Sequence, residues 1–274
     1  MLYLVPTPIG NLGDISPRAR KTLEQADFIA AEDTRVTRKL LSYLELHKPL
    51  VSYYEHNKEE SGRKIVQRIL AGETCALVSD AGSPAISDPG EDLVRLCAEA
   101  EIPVCAIPGP CAAITALSIS AQPTGRFCFE GFLSVNKKSR QAHLSGLLDE
   151  QRTMIFYEAP HKLLQTLKDL TAAFGAERGI SLCRELTKLH EQVLRMTLGE
   201  AVEYYTQNEP RGEFVLIVCG AEPKREQPPL QDDLVAQVQK QMEQGLSRKD
   251  AVRLVSQQAG VAKNALYDAV LKAE

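Results

Sequence analysis

The sequence predicts an α/β protein with two successive sheets and a small helical tail, and three observations carry that expectation. Short apolar runs alternate with helical patterns through the first 120 residues, which demands crossover connections and a mainly parallel sheet flanked by helices. From 121 to 222 the apolar runs continue without a comparably long helix on every connection, which predicts a mixed sheet. Residues 230 to 274 carry helical patterns and no strand candidate. The predicted domains are therefore 1–120, 121–222 and 230–274.

In chain order, Leu2 to Val5 reads as a strand, Ser16-Pro17 opens a helix, and Phe28 to Ala31 is a second strand. Leu50 to Tyr53, Ala76 to Val78 and Val104 to Ile107 continue the series, with helices near 59–71 and 91–101. Residues 112–120 read as a helix. Phe127 to Leu133, Met154 to Tyr157, Ile180 to Cys183, Val193 to Met196 and Phe214 to Cys219 supply the second set of strands, with helices near 138–149 and 161–173. Prolines and charges from Ala221 to Pro229 mark a linker. Beyond it, Leu246 to Val255, Gly260 and Val261 to Tyr267 have the rhythm of a helix-turn-helix, and Ser247 with Asp250 makes a capping-box-like start.

Composition narrows the function. With 274 residues, 44% hydrophobic and 25% charged, the chain is ordinary globular protein, and a formal charge of −4 argues against non-specific coating of nucleic acid. Local patches remain: residues 245–272 carry five basic against two acidic residues. No apolar run approaches a membrane span and the N-terminus lacks a signal-peptide pattern, so the expected location is the cytoplasm. Seven cysteines without a CxxC pair read as reduced core residues, with no metal site expected.

The most informative segment is Ser79-Asp80-Ala81-Gly82-Ser83-Pro84-Ala85-Ile86-Ser87-Asp88-Pro89-Gly90, a turn-rich loop between the strand ending at Val78 and a helix. Asp88 can serve as N-cap with Pro89 at the first helical position. That leaves Asp80, Gly82, Ser83 and Pro84 unexplained, so the stretch reads as a ligand loop at the carboxyl edge of a sheet. Two further strand-end turns, Pro6 to Asp14 and Pro108 to Leu117, are expected to converge with it on one pocket.

These segments carry a resemblance that covers nearly the whole chain. LVPTPIGNLGDISPRA, IAAEDTR, SDAGSPAISDPG, PGPCAAITAL, FEGFL and FYEAPHK, with CREL-TK-HE after them, resemble the bacterial small-subunit (16S) ribosomal RNA 2′-O-ribose methyltransferases of the tetrapyrrole (corrin/porphyrin) methylase superfamily. The resemblance implies two α/β domains of the tetrapyrrole-methylase type with S-adenosyl-L-methionine in the cleft between them, in a homodimer. It also implies 2′-O-methylation of a cytidine ribose near the decoding centre. Two rivals are a methylase of a corrin or porphyrin ring and a non-catalytic ribosome assembly factor.

Carried over by position, the implied cofactor contacts are Pro8, Ile9, Gly10, Asp80, Gly82, Ser83, Ala112 and Ala113, completed by Phe132, Tyr157 and Phe214 from the second domain. A sulfonium with an amino-acid tail and an adenosine calls for a carboxylate, backbone hydrogen bonds and an apolar slot. For the proton of the acceptor hydroxyl the candidate bases are Asp33, Glu158 and Glu185. Each has a structural rival: Asp33 as helix cap, Glu158 orienting a loop, Arg184 with Glu185 as an ion pair. Arg35, Arg184 and Lys188 suit phosphate or hydroxyl positioning, and His161 and His190 are possible proton shuttles. Candidate RNA contacts are Tyr54, His56 and Lys58, where rings and a base interleave after a strand, and Arg248, Lys249 and Lys263 in the helical tail.

Overall fold

The computed structural model describes residues 1–222 and 231–273. Beyond Glu222, the expected linker lies outside the described residues. The chain forms two compact units, Met1–Ala221 and Glu222–Glu274.

The first unit opens with five parallel strands, β1 (Leu2–Leu4), β2 (Phe28–Ala31), β3 (Leu50–Ser52), β4 (Cys75–Val78) and β5 (Val104–Ala106), in the order β3-β2-β4-β1-β5. Between them run α1 (Pro17–Gln25), α2 (Thr34–Tyr43), α3 (Lys58–Leu70) and α4 (Glu91–Glu99). Helix α1 begins where Ser16 accepts the Ala19 N–H at 3.0 Å and Pro17 takes the first helical position. β2 and β4 are buried on both faces, which is why they read as unbroken apolar runs. Successive residues then serve opposite cores: Ile29 and Val78 pack with Leu23, Leu40 and Leu41, whereas Phe28 and Leu77 pack with Tyr53, Ile65 and Leu93. Each such fully buried large side chain contributes about 1.5–3 kcal/mol. Because β1 and β4 are neighbours whose outgoing connections run to opposite sides of the sheet, a crevice opens between their carboxyl ends.

The second sheet contains β6 (Phe127–Phe132), β7 (Thr153–Glu158), β8 (Gly179–Arg184), β9 (Gln192–Thr197) and β10 (Phe214–Val218), ordered β6-β7-β10-β8-β9. Only β6 and β7 are parallel, so the sheet is mixed, as expected. Helices α7 (Pro160–Phe174) and α8 (Leu198–Gln207) supply Leu163, Leu167, Leu198 and Ala201 to one face, against Met154, Phe156, Leu182 and Leu216. The sequence reading did not anticipate α8, although Thr197 and Glu200 form a reciprocal capping box there. A shorter helix, α6 (Lys137–Gly146), follows β6.

The chain passes from the first sheet to the second near residue 120, within the compact unit Met1–Ala221, and α5 (Ala112–Ile119) makes the crossing. It leaves the end of β5 and lays Ala113, Ala116 and Leu117 against Ile155, Cys183, Val215 and Ile217 of the second sheet. Its all-round apolar character, without a polar face, is the sequence trace of that burial.

The second unit holds α9 (Gln231–Glu243), α10 (Arg248–Ala259) and α11 (Lys263–Lys272) around Val238, Val252, Val255 and Val270. Ser247 caps α10 and exchanges a 2.6 Å hydrogen bond with Asp250; Gly260, at φ 64°, ends the helix in the left-handed region. Among the described residues no helix is long and apolar enough to cross a membrane, and no three His, Cys, Asp or Glu side chains are grouped to hold a metal.

Candidate active site

Three turns meet at the carboxyl edge of the first sheet. Thr7 N–H donates to the Gly82 carbonyl at 2.9 Å and Gly82 N–H returns a bond to the Thr7 carbonyl at 3.0 Å, a one-rung bridge between the β1 and β4 loops. Ser83 Oγ donates to the Pro110 carbonyl at 3.0 Å, tying in the β5 turn. Gly10 lies so close to the turn after β8 that a Cβ there would fall 2.5 Å from Lys188 Cγ and 2.9 Å from the Leu186 carbonyl. The loops therefore form one edge, and the second sheet closes over it.

Between them lies a cavity of about 480 Å³, within the range of small-molecule sites. Ile9, Asp80, Gly82, Ser83 and Ala112 line it from the first sheet's turns, and Phe132, Tyr157, Glu158 and Phe214 from the second sheet. Pro8 and Gly10 do not line it; they hold the loop that presents Ile9. Nor does Ala113, whose N–H donates to Tyr157 Oη at 3.1 Å. The phenol thus caps α5 in place of a ligand, and burial pushes its pKa up to about 12. Phe129 and Phe132 pack edge-on against Tyr157 at 5.1 and 5.5 Å. Residues missed from the sequence include Ile86, Ser87, Asp88, Ala159, Pro160, Leu186, Glu213 and Val215. Ala159, Pro160 and Glu213 adjoin named candidates; Leu186 and Val215 gave no signal beyond apolarity.

Asp88 requires a correction. Helix α4 starts at Glu91 with Gly90 as N-cap and no side-chain cap bond, so neither Asp88 nor Pro89 does what the Asp-Pro-Gly pattern suggested. Gly90 has φ 152°, and a Cβ on it would fall 2.9 Å from Ala85 Cβ. The loop closes on itself there, and Asp88 lines the cavity instead, while the Ser79 hydroxyl donates to the Gly82 carbonyl at 3.1 Å. Burial, reinforced by the charge of Asp80, pushes its carboxyl up to about 6. Burial likewise raises Asp80 and Glu32.

The expected bases are otherwise engaged. Asp33 caps α2 by accepting the Arg35 N–H at 2.8 Å and holds the Arg35 guanidinium through Nε and Nη2. The Arg35 hydrogen bonds hold Asp33 far below the usual carboxylate range. Asp33 N–H also donates to Asp80 Oδ1 at 3.1 Å. Glu158, although in the cavity wall, accepts from Ala159 N–H at 2.8 Å and Thr166 Oγ1 at 2.5 Å, one partner per oxygen. Glu185 accepts from Lys188 Nζ at 2.9 Å and Glu213 N–H at 3.0 Å, and the lysine holds its carboxyl low. Lys188 also pairs with Glu213 at 2.9 Å. The expected Arg184–Glu185 pair does not form: Arg184 Nε donates to the Arg211 carbonyl at 2.5 Å, because Glu185, at φ 52°, turns away. His161 and His190 are exposed and outside the cavity wall.

Of the RNA candidates, Tyr54 and His56 are exposed, with ring centroids 6.2 Å apart. Lys58 is bound by Glu55 at 2.7 Å and Asp92 at 2.8 Å, which raise its pKa and neutralise its charge. In the helical unit, Lys249 and Lys263 line a groove of about 270 Å³ with Asn264, Tyr267 and Asp268. Arg248, half-buried at the start of α10, does not line it.

A two-sheet unit with a cofactor-sized cavity at the first sheet's switch point defines a protein class. The family model for the tetrapyrrole (corrin/porphyrin) methylases matches residues 1–202, and the chain belongs to that family. Within it, the chain falls among the ribosomal RNA small subunit methyltransferase I proteins. It is 47% identical over 274 residues to one from Synechocystis, covering 100% of this chain and 98% of the relative. It is 45% identical to one from Escherichia coli O157:H7 (99% and 94%) and 44% identical to one from Bacillus subtilis (98% and 93%). Among solved structures, the methyltransferase CobJ matches with TM-score 0.62 at 17% identity, covering 82% of this chain and 95% of that one. The uroporphyrin-III C-methyltransferase of Thermus thermophilus, complexed with S-adenosylhomocysteine, matches with TM-score 0.58 at 17% identity (80% and 96%). Those two likenesses establish the fold. The family is one of methyltransferases.

Proposed function

We propose that this protein transfers the methyl group of S-adenosyl-L-methionine to the ribose 2′-hydroxyl of a cytidine in 16S rRNA, presented by the small ribosomal subunit in the cytoplasm. Similarity along the whole length to proteins named for small-subunit ribosomal RNA is the observation that carries the substrate. The cavity fits the cofactor: Ile9, Phe132, Phe214 and Val215 offer apolar wall, and Asp80 offers negative charge for the cationic part of the donor. The cofactor brings the electrophilic methyl, so the protein's work is alignment and proton removal.

Arg35, with 83% of its side chain exposed yet clamped by Asp33 beside Asp80, suits holding a phosphate at the cavity mouth. Lys188 and Arg184 order the opposite rim. Lys249 and Lys263, flanking the Tyr267 ring, suit a second phosphate contact with a stacked base. A homodimer is supported by exposed Phe132, Val135 and Leu189, at 58%, 75% and 93%, apolar surface of the kind a second copy covers. Sedimentation should report twice the chain mass.

The decisive experiment incubates the protein with methyl-labelled cofactor and undermethylated small subunits, then maps 2′-O-methylation along the rRNA. Label in one cytidine ribose is the expected result. Label in a tetrapyrrole alone, or cofactor binding without transfer to RNA, would overturn the reading.

A further inference from the structure

Every carboxylate expected to act as a base is committed to hydrogen bonds elsewhere, whereas the cavity wall also holds Asp80 and Asp88, of which Asp80 accepts the Asp33 N–H at 3.1 Å and stands within the field of Arg35. We propose that Asp88 is the catalytic base that takes the proton of the acceptor hydroxyl as the methyl group is transferred. The inference rests on the ribose-methyltransferase reading above and names the residue that reading leaves open.

Asp88 is delivered to the cavity by an unusual backbone. Ala85 and Ser87, neither of them glycine, sit at φ 69° and 62°, and Gly90 follows at 152°. Left-handed conformations at non-glycine residues cost on the order of 1–3 kcal/mol each, and the surrounding packing must hold them. Two contacts do so: Gly90 lies against Ala85, and the Ser87 hydroxyl lies 3.3 Å from where a Gly131 Cβ would stand, at the irregularity in β6. An Asp-Pro-Gly segment free to follow its local preference would cap α4. Here Asp88 lines the cavity instead.

The surroundings set its basicity. Glu32 and Asp80 stand close enough to interact electrostatically, Tyr157 senses its charge from the second sheet, and Glu158 and Glu213 occupy the far wall. Among the described residues, no cationic side chain lines the cavity. The ionised form is therefore disfavoured, and a carboxyl near 6 is both ionised at neutral pH and a better acceptor than an ordinary carboxylate. In the transfer the O–CH₃ bond forms as the C–S bond breaks, its electron pair neutralising the sulfonium sulfur. The hydroxyl proton passes to Asp88 and from there to water.

The test is single-turnover methylation of small subunits at saturating cofactor across pH 5 to 9 by wild type, Asp88→Asn and Asp80→Asn, with calorimetric cofactor affinity alongside. Wild type should show a rate that rises with pH and levels off above about 6. Asp88→Asn should lose roughly 100- to 10,000-fold in rate and that rising limb, while cofactor affinity stays within about threefold. Asp80→Asn, which removes the neighbouring charge that raises the Asp88 carboxyl, should move the limb to lower pH, a change a purely structural role would not produce. An Asp88→Asn rate within about threefold of wild type, or a slowed variant that keeps the limb, would overturn the assignment. If Asp88→Asn fails to fold, an unmoved limb in Asp80→Asn decides against it. Failure of wild type to methylate rRNA would instead sink the function itself.

Discussion

Tyr157 Oη accepts the Ala113 N–H at 3.1 Å, and that bond joins the second sheet to the helix that leaves the first. It satisfies a donor at the start of α5, which has no side-chain cap of its own. Tyr157→Phe keeps the packing against Phe129 and Phe132 but strands that donor. The expected loss is about 1–2 kcal/mol in denaturant-derived stability, with weaker cofactor binding because the cavity wall loosens. Unchanged values for both would deny the bond its role.

Gly10 is a second tie between the sheets. Gly10→Ala sets a methyl against the Leu186 carbonyl and Thr187 Oγ1, atoms 2.9 and 2.7 Å away. A backbone atom cannot swing aside, so overpacking of about 1–3 kcal/mol is expected. Thermal melting reads it directly, and a variant as stable as wild type would mean the loop is free to retreat.

Asp88 should weaken the fold it serves. An acid whose folded pKa is raised from 3.8 to about 6 binds its proton more tightly when folded. Its unfavourable contribution is absent below pH 4, grows as pH rises to about 6, and is then constant. Asp88→Asn should therefore melt a few degrees above wild type at pH 8 and lose that advantage by pH 4. Equal melting at both pH values would show that the carboxyl is better solvated than its position implies.

Glu185 behaves oppositely. Its carboxyl is lowered chiefly by the Lys188 hydrogen bond, so the stability it supplies is present above the unfolded carboxylate range and lost as pH falls. Glu185→Gln should be less stable than wild type at pH 7 and indistinguishable at pH 3. A difference that persists in acid would point to packing and not charge.

For RNA, the ion pairs rank the candidates. Lys249→Glu with Lys263→Glu should weaken subunit binding and reduce its salt dependence by about one to two counterions. Lys58→Ala should do little, because Glu55 and Asp92 already neutralise that amine. Filter binding at several salt concentrations separates the two outcomes.

The succession of strands along the chain, the mixed character of the second sheet and the three-turn convergence were legible in the sequence, whereas the order of strands within each sheet was not. Apolar period and turn chemistry are local properties, and the β1, β4 and β5 turns announced themselves through Gly, Pro and Asp. Nothing local could reveal that α5 belongs to the second sheet's core or that Tyr157 caps it, since both depend on surfaces brought together from segments far apart in the chain. The carboxylates make the same point. Sequence singled out Asp33, Glu158 and Glu185 by their motifs, yet each found its partners through folding. Asp88 looked like an ordinary helix cap until Ala85, Ser87 and Gly90 bent the backbone and aimed it inward. Residue type sets what a side chain can do; which proton or partner it meets is decided by burial and direction, and those exist only in the folded chain.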